Sequence, residues 1–195
     1  GTTRTFTSYS RAFAAGTANA LYTKGDGTLW AAGNNSSGQL GDGTLSANRT
    51  IPVSIATNVA AVATGDNHSL FVKTDGTLWV MGSNGNGQLG DGTTFNRPSP
   101  VQVATNVAAV AAGSAHSLFL KTDGTLWAMG YNIFGQLGDG SGTSRSTPVQ
   151  VASGVRSIAA RNFQSFFVKT DGTPWAFGLN SSGQLGDGTF TNRPT

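Results

Sequence analysis

The chain contains no cysteine and no glutamate, only two histidines, and charged residues fill only 11% of its 195 positions. The absence of cysteine excludes disulfides, thiolate metal sites and thiol nucleophiles, and leaves the redox compartment open. The absence of glutamate, with Gly, Thr, Val and aromatic residues in place of good helix formers, excludes a helix-rich domain. Long hydrophobic runs are missing too. Stretches such as Val107-Ala-Ala-Val-Ala-Ala112 fall far short of the roughly 20 residues a spanning helix needs, so no membrane partner is expected. What is present suffices for a core: 37% of residues are hydrophobic, with four Trp and eleven Phe, which excludes a disordered polar chain. A mass of 19.9 kDa fits one ordinary domain or a piece of a larger one.

The dominant feature is internal repetition. The string Asp-Gly-Thr-Leu/Pro-Trp begins at Asp26, Asp75, Asp123 and Asp171, and Gly-Gln-Leu-Gly-Asp-Gly begins at Gly38, Gly87, Gly135 and Gly183. Both series step by 49, 48 and 48 residues, dividing the chain into units near 3–51, 52–99, 100–147 and 148–195, all in one domain.

Each unit reads as four short strands. In the third, Val101-Gln-Val103 is the first and the small-residue run Val107 to Ala112 the second. His116 to Thr122 is the third, and Asp123-Gly124 turns the chain into Thr125 to Gly130. An Asp-Gly pair supplies the positive φ that a tight hairpin requires. The runs Ser117-Leu-Phe-Leu120 and Leu126-Trp-Ala-Met129 are nearly continuous rather than alternating. A sheet with one wet face alternates, whereas a sheet covered on both faces need not. Units sandwiched between copies of themselves, with a narrow Ala-rich strand crowded against a common axis, are the blades of a β-propeller. A solenoid of stacked strands is the alternative. The expected fold class is all-β: a propeller sector of four four-stranded antiparallel blades, an incomplete ring.

Gly113-Ser-Ala-His116-Ser117, Asp123-Gly124, Leu126-Trp-Ala-Met-Gly130, Asn132 and Gly135-Gln-Leu-Gly-Asp-Gly140 recur with small changes in all four units. In these residues the chain resembles the repeat family of the regulator of chromosome condensation, in a wording most similar to bacterial, often extracellular, members. The resemblance implies a propeller, usually of seven blades, and a binding surface rather than a reaction. The family includes a nucleotide-exchange factor, a plant ultraviolet receptor, a secreted β-lactamase inhibitor and parts of ubiquitin ligases. Fold alone does not choose among these. The units carry neither an inserted wedge loop nor extra clustered Trp and Arg.

Four units do not complete such a ring. Thr3-Arg-Thr-Phe6 occupies, at the start, the strand position that Pro100-Val-Gln-Val103 holds in the third unit. Three closures are open: a small four-bladed ring, an eight-bladed ring of two chains, or an excerpt of a longer protein or open head-to-tail assembly. The expected state is an incomplete propeller completed by another copy or by absent sequence. The expected partners are therefore the chain itself, missing blades, or another protein.

The net charge is +3 and the isoelectric point about 9.6, which invites a nucleic-acid reading. The positions weaken it. Lys24, Lys73, Lys121 and Lys169 share one repeat position and Arg49, Arg97, Arg145 and Arg193 another, and eight of the nine Asp residues cancel them. The surplus rests on Arg4, Arg11, Arg156 and Arg161 against Asp66. The repeat-locked Arg residues read as a solvated rim, and nucleic acid is kept only as an alternative.

No cofactor, metal site or catalytic residue is assigned. Each Asp-Gly stands alone, without the alternating carboxylates and terminal acid of a calcium loop, and no Gly-Lys-Ser/Thr follows the Gly-rich string, as a phosphate loop requires. Ser69, His68 and Asp66 spell a triad only in sequence order. His68 and His116 occupy one repeat position that Asn19 and Gln164 fill in the outer units, which suits a structural hydrogen bond. They remain candidates for binding, and for the alternative of a hydrolase or lyase with a polar axial pocket. The Trp residues, one per unit at one position, read as core packing. The units differ most at Tyr131, Ile133 and Phe134, where the others carry mainly Asn, Ser or Gly, and at Arg161 and Phe163. Loop aromatics that folding does not require are candidate contact residues. The expectation is a non-catalytic protein-binding or self-assembly module, placed outside the cell by resemblance alone.

Overall fold

The computed structural model describes residues 12–195. The strand expected at Thr3–Phe6 and the charges of Arg4 and Arg11 lie outside the described residues. Fifteen strands and no helix are found among those described. The first sheet joins β1 (Phe13–Ala15), β2 (Asn19–Thr23), β3 (Leu29–Gly33) and β4 (Arg49–Ala56) in that order. The second joins β5 (Val59–Thr64), β6 (His68–Lys73), β7 (Leu78–Gly82) and β8 (Arg97–Ala104). The third joins β9 (Val107–Ala112), β10 (His116–Lys121), β11 (Leu126–Gly130) and β12 (Arg145–Ala152). The fourth has β13 (Val155–Arg161), β14 (Gln164–Lys169) and β15 (Pro174–Gly178), and a Gly178–Arg193 bridge stands where its outer strand would begin. All pairings are antiparallel.

The sheets are out of phase with the units read from the sequence. The strand containing Val101-Gln-Val103 does not open the third sheet; it closes the second, pairing Val80 with Val101 and Trp79 with Gln102. The cause lies in the linker. Asn106 takes a left-handed φ of 59°, which redirects the chain between β8 and β9. Val107 N–H then donates to Gly76 O of the preceding sheet at 2.9 Å and Thr122 N–H to Asn106 O at 2.8 Å. Asn58 and Gly154 hold the corresponding left-handed positions. The sequence repeat starts one strand before the structural one.

The blades form a fan. β1, β5, β9 and β13 pack successively on one another, while the closest inter-sheet contacts involve no outer strand. The Ala-rich strands are thus the hub, because only small side chains fit where four sheets converge. Three apolar clusters, one per junction, hold the fan. Leu21, Leu29, Ala31 and Leu40 meet Val59, Phe71 and Met81. Leu70, Val72, Leu78, Val80 and Leu89 meet Val107, Phe119 and Met129. Leu118, Leu120, Leu126, Ala128 and Leu137 meet Val155, Phe167 and Phe177. Burying such a side chain contributes roughly 1.5–3 kcal/mol, so sheets too small to stand alone stabilise one another.

The two recurring strings are hydrogen-bond devices. In the Asp-Gly-Thr-Leu-Trp turn, Asp123 Oδ1 accepts from Thr125 N–H at 2.9 Å and from its hydroxyl at 2.6 Å. Trp127 Nε1–H donates to that hydroxyl at 2.9 Å, and Lys121 Nζ lies 4.6 Å from the Trp127 ring centroid. The Trp rings stand half-buried at the edge of the core, Trp79 and Trp127 packing against the junction clusters, while Trp175 in the last blade is 45% exposed. Phe71, Phe119 and Phe167 stack on them from the neighbouring strand. The indole N–H explains this placement, since it needs a partner that the turn supplies and the apolar interior does not.

In the second string, Asp91 is the centre. Its Oδ1 accepts from Thr93 and from Asn84 Nδ2, and its Oδ2 from Arg97 Nε at 2.6 Å. Asn84 Oδ1 accepts Leu89 N–H at 3.0 Å, so one buried Asn ties both ends of the loop. The same set recurs around Asp42, Asp139 and Asp187. The repeat-locked Arg residues are therefore each engaged by a loop carboxylate, not a freely solvated rim. Burial alone would raise the Asp91 pKa, but the hydrogen bonds from Thr93 and Arg97 outweigh it and hold it below the ordinary value.

Candidate functional site

One end of the fan carries the turns between the two innermost strands of each blade and the long loops between the two outermost. At the hub, this end opens into a cleft of about 360 Å3 lined by, among others, Thr17, Thr64, Asp66, Ser114 and Arg161. Thr17 donates its hydroxyl to Asp66 Oδ1 at 2.8 Å, and Ser114 N–H donates to Asn162 O of the next blade at 2.8 Å. Arg161 lies exposed on the cleft wall.

Two of the candidates, His68 and His116, are fully buried and lie in the junctions. His68 Nε2 is 2.9 Å from Ser117 Oγ of the next blade, and His116 Nε2 is 2.9 Å from Ser165 Oγ. Each hydroxyl has one proton, which goes to a backbone carbonyl of the preceding blade: Ser117 to Gln88 O at 2.8 Å, Ser165 to Gln136 O at 2.7 Å. The imidazole must therefore donate from Nε2, which leaves Nδ1 bare. Both Nδ1 atoms lack a partner and stand behind Gly65 and Gly113, where a Cβ would collide with the ring. Burial is the main cause that pushes the pKa of His68 down to about 4, with the Asp66 charge opposing. Burial, then the neighbouring His68, push His116 down to about 3. In the first junction Asn19 Nδ2 donates to Ser69 Oγ at 3.4 Å, and Ser69 to Gln39 O at 2.8 Å. These are equivalent rungs, one per junction. Ser69, His68 and Asp66 bond to three different partners and form no triad. No cluster of three metal-ligating side chains occurs among the described residues.

The remaining candidates converge at the junction of the third and fourth blades. Tyr131 and Phe134, from the β11–β12 loop, meet Phe163, from the β13–β14 turn, with ring centroids 5.9 and 5.3 Å from it and 6.3 Å from each other. The three rings are half-buried, and Ile133 beside them is 60% exposed. Arg161 sits two residues from Phe163, linking this patch to the hub cleft.

The same framework is polar at the other junctions. Gln39 Nε2 donates to Asn34 Oδ1 at 2.8 Å and to Asn67 Oδ1 at 3.3 Å. Gln88 Nε2 donates to Ser83 Oγ at 3.3 Å. At the third junction, Tyr131 stands where Asn34 and Ser83 stand, and the buried Gln136 Nε2 has no partner. The aromatic patch therefore displaces a hydrogen bond that the fold makes elsewhere. Sequence comparison of the units found the aromatic residues; the Gln136 consequence is visible only with the loops in place.

Models of the Regulator of chromosome condensation (RCC1) repeat match residues 26–72, 75–120 and 123–168, and a second model of that repeat matches 59–88 and 107–136. No curated protein matches the chain in sequence. Among solved structures, human WBSCR16 superposes with a TM-score of 0.83 at 23% identity, over 93% of this chain and 50% of that one. Yeast RCC1 (Prp20), solved bound to Kap60, superposes with a TM-score of 0.83 at 23% identity, over 98% and 49%. Prp20p of Saccharomyces cerevisiae gives 0.81 at 24% identity, over 98% and 50%. The chain thus spans about half the length of the solved structures it matches. With the repeat model covering most of its length and its blades superposing on half of such propellers, the chain belongs to the regulator of chromosome condensation repeat family.

Proposed function

We propose that the chain is a non-catalytic protein-binding propeller sector whose contact surface is the end bearing Tyr131, Ile133, Phe134, Phe163 and Arg161. The observation that carries this reading is the aromatic patch that replaces a polar network and leaves Gln136 Nε2 unpaired. A buried unpaired donor destabilises by about 1–3 kcal/mol, so stability does not account for the exchange. Half-exposed aromatics beside an exposed Ile and an Arg have the composition of an interface centre. Fold relatives support the class of partner: Prp20p has binding properties to Gsp1p and histones, and yeast RCC1 (Prp20) binds Kap60. The absence of catalysis is supported by the histidines, which are spread over equivalent junctions instead of converging on one pocket. We place the protein outside the cell, on its similarity to bacterial extracellular members.

The test is cross-linking capture with the chain and two single variants. Ile133→Asp should release a partner held by the parent chain, and Ile51→Asp, an exposed site on an outer strand, should retain it. Equal retention by both variants would remove the patch from the interface.

A further inference from the structure

The three junctions share one knob-and-socket device. Each later blade presents a cross-strand pair to the blade before it: Ser69 opposite Met81, Ser117 opposite Met129, Ser165 opposite Phe177. The Ser joins the polar rung described above. The large apolar partner presses on a loop glycine of the preceding blade. A Cβ on Gly41 would run into Met81, on Gly90 into Met129 and on Gly138 into Phe177. The glycine is thus required by the close approach of the knob, as well as by its positive φ.

The fourth blade carries the socket half of this device on its outward face. Gly186, the equivalent glycine, has no atom within 4 Å of where its Cβ would stand. Phe166, Val168 and Leu185 line the open face, where the third blade places Leu118, Leu120 and Leu137 in a buried cluster. The Gln164 amide, the rung position, reaches only Leu179 O of its own blade, at 3.5 Å.

The first blade, whose outward face a second copy would bring to that socket, keeps Tyr22 and Trp30 at the positions of Phe71 and Trp79 but lacks the couplet. Its cross-strand pair is Ala20 opposite Ala32. Ala20 has no hydroxyl to accept from Gln164 or to donate to a Gln carbonyl, and Ala32 is too short to reach the socket. Both losses fall on one pair of facing residues.

We propose that the open face of the fourth blade is a docking surface for a further repeat blade bearing Ser and a large apolar residue, Met or Phe, at the two paired positions, and that the Ala20–Ala32 pair bars this chain's own first blade from it. The occupant follows from continuity with the three junctions already formed, which use this couplet without exception among the described residues. The device acts as a specificity element: interior couplets admit a preceding blade, and the alanine couplet refuses it. This inference is independent of the aromatic patch.

The experiment restores the couplet and reads the solution mass by light scattering. The 195-residue chain should run at its monomer mass of 19.9 kDa. The double variant Ala20→Ser/Ala32→Met should associate head to tail, each added group tightening self-association by about tenfold or more. Adding Phe166→Glu to that variant should return it to monomer. Ala20 is exposed and Ala32 half-exposed, so the fold should tolerate both changes; Ala32→Met alone, with a weaker association expected, decides the matter if the double variant does not fold. Association of the parent chain that Phe166→Glu abolishes would overturn the proposal. So would a folded variant that stays monomeric at concentrations where the couplet should act.

Discussion

The two inner blades and the two outer blades have the same hydrogen-bonded framework but different wetting. In β6 and β10 the residues from His68 to Val72 and from His116 to Leu120 are buried on both faces. In β2, Leu21 is buried while Ala20 is exposed and Tyr22 half-exposed; in β14, Phe167 is buried while Phe166 and Val168 are half-exposed. The outer blades therefore alternate where the inner ones do not. Their two open faces are also unlike each other. The first blade's keeps the aromatic pair Tyr22 and Trp30 but is reduced to Ala20 and Ala32 at the couplet, whereas the fourth blade's keeps Phe166, Val168 and Leu185. Among the described residues the two faces thus differ chiefly at the couplet, which one lacks and the other is shaped to receive.

The largest expected effect tests that contrast directly. Phe119 is 1% exposed, stacks on Trp127 at 6.1 Å and fills the second junction. We predict that Phe119→Ala lowers stability to urea by about 3–5 kcal/mol, and that Phe166→Ala, on the open face, lowers it by about 1 kcal/mol, because most of that ring is not removed from a packed interior. Equal losses in the two unfolding curves would mean that the open face is covered.

The inner junctions should also be sensitive to acid. The folded pKa values of His68 and His116, about 4 and about 3, lie below the unfolded value of about 6.5. The folded state then binds fewer protons than the unfolded state between these values. Stability from this source is complete above pH 6.5 and is lost as pH falls from 6.5 towards 4 and 3, by a few kcal/mol for each histidine at about 1.4 kcal/mol per pH unit. The Asp residues with lowered values add their loss only below pH 3.8. His68→Asn/His116→Asn, borrowing the group that Asn19 uses in the first junction, should flatten the melting temperature between pH 6.5 and 4 and leave the lower limb intact. A profile unchanged by the double variant would move the acid sensitivity elsewhere.

A smaller loss is expected when a rung is cut without emptying the core. Ser117→Ala removes the acceptor of His68 Nε2 and the donor to Gln88 O, and should destabilise by about 1–3 kcal/mol. Ala20→Ser, at the exposed equivalent in the first blade, should change stability by less than about 0.5 kcal/mol. If Ala20→Ser mattered as much as Ser117→Ala, the first blade's free face would be engaged after all.

The fold was legible because its signals are local and repeated: Asp123-Gly124 marks a turn, and Leu118-Phe119-Leu120 marks a strand with no wet face. Blade phase was not legible. The strand Arg97–Ala104 carries no mark of which sheet it joins, and only the left-handed Asn106 and its bonds to both sheets decide it. The patch residues Tyr131, Ile133, Phe134, Arg161 and Phe163 were visible as departures from the repeat, but their contact depends on two loops meeting across a junction. His68 and His116 read as polar groups at a strand start, which they are; that each bonds to the serine after the next histidine position, or its equivalent, needs the blades stacked. The Ala20–Ala32 couplet escaped notice because alanine in a strand looks unremarkable until its neighbours in the other three blades are known to do a job.

The smallest effect sharpens the comparison by predicting where it vanishes. The Lys over each Trp ring belongs to a single blade: Lys121 Nζ lies 4.6 Å from the Trp127 centroid in an inner blade, and Lys24 Nζ lies 3.5 Å from that of Trp30 in an outer one. A cation over an indole at a solvent-exposed site contributes about 0.5–1 kcal/mol. Neither Lys takes part in a junction cluster; Trp127 does pack against the second one and Trp30 against none, but a double-mutant cycle subtracts that packing and leaves the Lys–Trp coupling. We therefore expect Lys121→Met and Lys24→Met to lower the melting temperature by small and similar amounts, and double-mutant cycles with Trp127→Leu and Trp30→Leu to return the same sign of coupling. A marked difference between the two cycles would mean that the turn motif is tuned by its neighbours, and that inner and outer blades differ in their own folding and not only in what covers them.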